Sequence, residues 1–110
     1  MIGNKIFDNI KKYNNIAILG FGKEGKSTYD FIRKHDKDLF LTILDAKEIE
    51  LNDKNAVYKL YEGEESLKDY DLIIKTPGVS VYNFSDETKK RFTSYITTSK
   101  YIMILFIFRK

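Results

Sequence analysis

Three glycines, Gly20, Gly22 and Gly25, stand between an apolar run, Ile16-Ala17-Ile18-Leu19, and a stretch of helical patterning that opens on Lys26-Ser27. Each has a separate use if the segment is a strand, a phosphate-binding turn and a helix. Gly20 permits the tight turn off the strand, Gly22 lets backbone approach a diphosphate, and Gly25 lets the helix pack closely on the sheet. The anion would rest on backbone N–H groups at the helix N-terminus. Asp45 follows 20 residues after Gly25 at the end of a second apolar run, where a carboxylate can accept from a ribose hydroxyl. The plainer alternative is a glycine-rich strand-to-helix turn that binds nothing.

A second informative segment, Thr76-Pro77-Gly78-Val79-Ser80, follows the apolar run Leu72-Ile73-Ile74. Proline fixes φ and removes a donor, glycine admits positive φ, and the pair gives the loop a defined shape beside the glycine turn. In open parallel sheets, ligands bind at the carboxyl ends of strands where the strand order reverses. Taken alone, the Pro-Gly pair is more simply an ordinary strand-exit turn.

The elements that must carry these loops can be read from periodicity. Ile6, Phe7 and Ile10 at helical spacing predict a lead-in helix over residues 3–13, and Tyr29, Phe31 and Ile32 predict one over 25–34, ending near His35. Strands are expected at 16–19, 39–44, 56–61 and 71–75, the second without polar alternation, as in a sheet covered on both faces. Residues 62–68 have room for one helical turn. Ser85 with Asp86 and Glu87 predicts a capped helix over 86–92. Tyr95–Thr98 is a candidate fifth strand, and Tyr101–Phe108 is an uninterrupted apolar run. Together these predict a three-layer α/β fold, a Rossmann-like, mostly parallel sheet of about five strands with helices on both faces.

At 110 residues the chain is expected to form one domain, 1–110, with an atypical tail over 98–110. It has no cysteine, which excludes disulfides, thiolate metal sites and cysteine nucleophiles. The first twelve residues mix isolated apolar side chains with Lys5, Asp8, Lys11 and Lys12, unlike a signal peptide, so a cytoplasmic location is expected. The eight apolar residues of the tail would span about 12 Å as a helix, far short of a membrane. The net charge of +3 is unevenly spread: residues 38–88 hold 12 acids and 5 bases, whereas 89–110 hold six bases and no acid. No basic stripe interleaved with aromatics emerges, so no nucleic-acid partner is expected. His35, the single histidine, lies among charges at a helix end, and Asp69 and Asp71 stand at a strand entrance; all three read as solvated.

With both loops in view, the chain resembles the N-terminal domain of the Mur ligases of peptidoglycan synthesis, most closely the D-glutamate-adding members. The resemblance rests on Ile18-Leu19-Gly20-Phe21-Gly22-Lys23-Glu24-Gly25-Lys26-Ser27, on Asp45, and on Asp71-Leu72-Ile73-Ile74-Lys75-Thr76-Pro77-Gly78-Val79, and it covers about residues 4–97. It implies a domain that holds the UDP end of UDP-N-acetylmuramoyl-L-alanine. Backbone at Phe21, Gly22, Lys23 and Glu24 would face the diphosphate, with Gly20 and Gly25 as further residues of the same UDP-binding turn. Asp45, Ala46 and Lys47 would surround uracil and ribose, and Thr76, Pro77 and Gly78 would line the other side. The family is an ADP-forming ligase using ATP and magnesium, held by a central and a C-terminal domain that have no counterpart in these residues. No cofactor, no resident metal and no catalytic residue are therefore expected here, and this chain alone is expected to be inactive.

Two other readings stay open. By letter, Gly20 to Ser27 also spells a P-loop, with Lys26 for the β- and γ-phosphates and Ser27 for magnesium, although the internal Gly22 and the Thr76-Pro77-Gly78 turn suit the Mur pattern better. An NAD-binding regulatory or dehydrogenase-like module would use Asp45 for the adenosine ribose. An interaction domain is a further class, in which Tyr101–Phe108 adds a strand to a partner or to a second copy of the chain.

Overall fold

The computed structural model of the protein describes residues 7–75, 79–80 and 82–90, together with the backbone of 92–94 and 106–109. Residues 7–10 are helical (α1). They lead to β1 (Ile16–Leu19), α2 (Lys23–His35), β2 (Leu41–Asp45), β3 (Ala56–Leu60), a 3₁₀ turn (Glu64–Leu67) and β4 (Leu72–Lys75). The chain continues through α3 (Asp86–Lys89), β5 (Phe92–Ser94) and β6 (Phe106–Arg109). The strands form one sheet in the order β3-β2-β1-β4-β6-β5. The first four are parallel, and β6 runs antiparallel to both β4 and β5.

The fold is the expected Rossmann-like α/β arrangement, with alternation inside each strand deciding its layers. Ile16 and Ile18 of β1, Leu41 and Ile43 of β2, and Leu72 and Ile74 of β4 face one core with Phe7, Ile10, Phe31 and Ile32 from α1 and α2. Ala17, Leu19, Leu44 and Ile73 face the other. Burial on both sides explains why these strands read as continuous apolar runs. On the second face, among the described residues, the turn expected within 62–68 is a 3₁₀ turn (Glu64–Leu67); it contributes Leu67, the segment before α3 contributes Phe84, and Tyr70 joins them ahead of β4.

The carboxyl half departs further. Ser85 does cap α3, its Oγ accepting from the Thr88 N–H at 3.2 Å, but the helix ends at Lys89, and Phe92, expected as its last residue, instead opens the strand Phe92–Ser94. An aromatic and a β-branched residue suit a strand edge better than a helix end. The strand expected at Tyr95–Thr98 lies outside the described residues, as does the 101–105 part of the apolar tail. The backbone of 106–109 pairs with β4 inside this chain, bringing the sheet to six strands. No helix among the described residues is long and apolar enough to cross a membrane.

A polar clamp fixes the edge of the parallel sheet. Arg33, near the end of α2, donates to the Leu39 carbonyl at 2.8 Å, to the Asn55 carbonyl at 3.1 Å and to the Asp53 carboxylate at 2.7 Å. Tyr29 Oη also donates to Asp53. These bonds tie the helix to the start of β2 and to the turn before β3. On the opposite side, Asp71 accepts from the Asn15 N–H at 3.2 Å and is half-buried, so it pins the entrances of β1 and β4 instead of standing free in solvent.

Candidate functional site

Strand order reverses at β1. The chain moves outward from β1 through β2 to β3, then returns to place β4 on the other side of β1, in register Leu19 with Lys75. The connections therefore diverge above the carboxyl ends of β1 and β4, the place where such sheets leave a crevice. The glycine turn leaves from the first of these ends.

Gly20 turns the chain with φ at 93°, a conformation that an L side chain resists, and its N–H donates to the Leu44 carbonyl at 2.8 Å. Gly22 is the N-cap of α2, extended, with no side chain bonded to the helix terminus. An added Cβ at Gly22 would meet nothing within 4 Å, so the open space beside it faces outward. Lys23 and Glu24 form the exposed start of the helix and Gly25 is buried against the sheet. The first-turn N–H groups have no partner within the helix by the geometry of its ladder. Because α2 begins at Lys23, Lys26 and Ser27 are already helical, and the Ser27 hydroxyl donates back to the Lys23 carbonyl at 3.1 Å. A P-loop instead keeps its backbone wrapped around the phosphates up to the lysine, so the match by letter does not extend to conformation.

Asp45 ends β2 with its carboxylate aimed at the glycine turn. Oδ2 accepts from the Phe21 N–H at 2.8 Å, and Oδ1 from the Lys47 N–H at 2.8 Å. The Phe21 amide thus belongs to Asp45, not to the open side of the turn. Its ring packs edge-on against Tyr29 on the α2 side of the sheet, with centroids 5.7 Å apart. The Lys47 side chain is exposed, and its contribution among the described contacts is the backbone bond to Asp45.

A cavity of about 530 Å³ opens beside these groups, on the face of the sheet that Leu19 and Leu44 share. Gly20, Asp45 and Ala46 form the side nearest the glycine turn. Leu19, Leu44, Tyr61, Val79 and Phe84 supply apolar surface, and Glu64, Ser80 and Asn83 supply polar atoms. Among the described residues the 3₁₀ turn and the segment before α3 border this face beside the cavity. Its far wall is built by Glu64, whose carboxylate accepts from the Ser85 N–H at 2.8 Å, the Ser85 hydroxyl at 2.7 Å and the Thr88 hydroxyl. Those donors hold the Glu64 carboxyl below its usual range, Thr88 first and then Ser85.

Lys75 ends β4 and is 4% exposed. Its Nζ donates to the carbonyl of Val79, a residue of the cavity wall, and burial pushes its pKa down.

Of the expected site residues, the structure brings Gly20, Asp45 and Ala46 to the cavity and sets Gly22, Lys23 and Glu24 at the adjacent helix start. Phe21, Gly25 and Lys47 act through backbone or packing. Thr76, Pro77 and Gly78 lie outside the described residues. Sequence reasoning missed the roles of Tyr61, at the end of the expected third strand, of Glu64, in the expected helical turn, and of Asn83 and Phe84, in the connection before the expected helix at 86–92, and it treated Lys75 as an ordinary strand residue. Among the described residues no group of three or more His, Asp or Glu side chains is arranged to hold a metal ion. Comparison with protein-family models, curated proteins and solved structures gives no match.

Proposed function

We propose that the chain binds the UDP end of UDP-N-acetylmuramoyl-L-alanine, as the N-terminal substrate-holding part of a cytoplasmic D-glutamate-adding ligase of the Mur type. The observation that carries this reading is convergence. Gly20, the helix start at Gly22 to Glu24, and Asp45 meet at the switch point of a Rossmann-like sheet, beside a cavity with apolar walls and polar atoms. A diphosphate suits the helix start, where backbone donors and the helix dipole favour negative charge. A uracil and its ribose suit the cavity, where ring faces meet Tyr61, Val79 and Phe84 and donors meet Asp45. The Mur-like spacing of the two loops distinguishes this reading from a general dinucleotide module.

Ligation itself lies beyond these residues in this account. In the family it draws on ATP and magnesium held elsewhere, and this chain's part is to bind and orient the nucleotide-sugar. The reading is tested by following backbone amide resonances during titration with UDP. Gly20, Gly22, Lys23, Glu24 and Ala46 are expected to shift together, with α1, on the other face of the sheet, unaffected. Shifts scattered over the exposed surface, or none, would overturn the placement.

A further inference from the structure

We propose that the outer edge of β3 is a homodimer interface, onto which a second copy of this chain adds its own β3 in antiparallel register centred on Tyr58. The inference is independent of the nucleotide reading.

The first reason is the backbone. β3 is the outermost strand on the parallel side of the sheet. The Leu41 N–H donates to the Asn55 carbonyl and the Tyr61 N–H to the Asp45 carbonyl, so the odd-numbered residues of this stretch turn their peptide groups toward β2. Alternation then turns those of Ala56, Tyr58 and Leu60 outward. The Ala56 N–H is taken by the Asp53 carbonyl in the turn before the strand. Among the described residues, the Ala56 carbonyl and both peptide groups of Tyr58 and Leu60 therefore form an open row, and such a row is a template for another strand.

The second reason is that the row complements itself. When the strands pair antiparallel about a twofold axis at Tyr58, the whole of Ala56–Leu60 overlaps its own copy. The two Tyr58 residues exchange N–H and carbonyl, and Leu60 of each copy donates to Ala56 of the other. Ala56 then has to supply only the carbonyl that its turn leaves open. The axis stands perpendicular to the sheet, so the cavities of both copies open on one face of a continuous sheet.

The third reason is side chains. Val57 and Leu60 are exposed, as is Phe40 just before β2, whereas the apolar residues of β1, β2 and β4 are buried. In this register Leu60 lies beside Ala56 of the other copy on the α2 side, and Lys59 beside Val57 on the cavity side. Lys59, a charge that would otherwise protect an edge, thereby lays its aliphatic stem along an apolar neighbour. Lys54, just before the strand, and Glu62, just after it, are exposed. Antiparallel pairing brings the start of one strand to the end of the other, which sets Lys54 against Glu62 at both ends of the interface. The register that suits the backbone is also the one that matches charge.

The test is sedimentation velocity on the whole chain from micromolar to millimolar concentration, with Leu60→Pro, Lys54→Glu and the double exchange Lys54→Glu/Glu62→Lys. The wild type is expected to pass from monomer to dimer over this range. Proline at position 60 removes an outward N–H and no bond to β2, so Leu60→Pro is expected to keep the amide spectrum of the inner strands and to lose the dimer. Lys54→Glu sets like charges together at both ends and is expected to weaken dimerisation about tenfold, with the added Glu62→Lys restoring it. A chain that stays monomeric throughout overturns the proposal, as does a dimer that survives Leu60→Pro. Where Leu60→Pro unfolds, the charge series decides alone: a dimer indifferent to Lys54→Glu, or a double exchange that recovers nothing, overturns it.

Discussion

The backbone N–H of Phe21 donates to the carboxylate of Asp45 at 2.8 Å. The bond joins the glycine turn after β1 to the end of β2, and the other carboxylate oxygen takes the Lys47 N–H. One side chain thus shapes the turn and lines the cavity. Asp45→Ala removes both acceptors and is expected to lower unfolding stability by about 1–3 kcal/mol and to weaken UDP binding. Asp45→Asn keeps one acceptor and should lose less of each. Denaturant unfolding and calorimetry on the two variants measure this, and an Asp45→Ala chain unchanged in both would contradict it.

The glycines of the turn separate shape from function. Gly20 has φ at 93°, so Gly20→Ala introduces strain of about 1–3 kcal/mol and lowers stability together with binding. Gly22 is extended and an added Cβ meets nothing within 4 Å. Gly22→Ala is therefore expected to unfold within about 1 kcal/mol of wild type while losing UDP affinity, because the methyl group stands where a diphosphate approaches. Full affinity in Gly22→Ala would place the ligand elsewhere.

Asp53 makes part of the stability dependent on acid. The Tyr29 hydroxyl, the Arg33 guanidinium and the Asn55 N–H hold its carboxyl down at about 2, against an ordinary value of 3.8. A group depressed in the folded state contributes stability that is complete above its unfolded value and fades as pH falls toward the folded one. Stability should therefore decline between about pH 4 and pH 2, and Asp53→Asn should flatten that part of the profile. Asp53→Ala leaves the Arg33 guanidinium without its carboxylate and is expected to cost about 2–3 kcal/mol at neutral pH. Thermal melting across the acid range reads both effects.

Ser85 connects α3 to the cavity wall. Its hydroxyl accepts from the Thr88 N–H and donates to Glu64, and its own N–H donates to Glu64 as well. Ser85→Ala is expected to destabilise by about 1 kcal/mol through loss of the cap. It should also raise the Glu64 carboxyl back toward its usual range, since the Ser85 hydroxyl is among the groups holding it down. Carboxyl titration by NMR in the wild type and the variant checks this, with no change in Glu64 as the contrary result.

The parallel half of the fold was legible because its physics is local. Runs such as Ile16–Leu19 and Leu72–Ile74 are buried on both faces, so composition alone marks them as central strands. The glycine spacing and Asp45 marked the turn and the strand end that meets it. The antiparallel half was less legible, because whether Phe92–Ser94 continues a helix or becomes a strand is decided by β6, which lies far along the chain. The cavity's far wall was hidden for the same reason. Glu64 and Phe84 come together through the bond from Ser85 to Glu64 across 21 residues, and no periodicity encodes such a pairing. The start of α2 two residues before the expected Gly25 was missed because Lys23-Glu24 reads as a loop, whereas both are helical and Gly25 is buried in the first turn.

Calorimetric titration with UDP-N-acetylmuramoyl-L-alanine, with UDP and NAD in parallel, tests the central claim most directly. The account predicts binding of the muramoyl nucleotide and of UDP, weakened by Asp45→Ala, and none with NAD. Heat with NAD alone, or silence with all three, would contradict it.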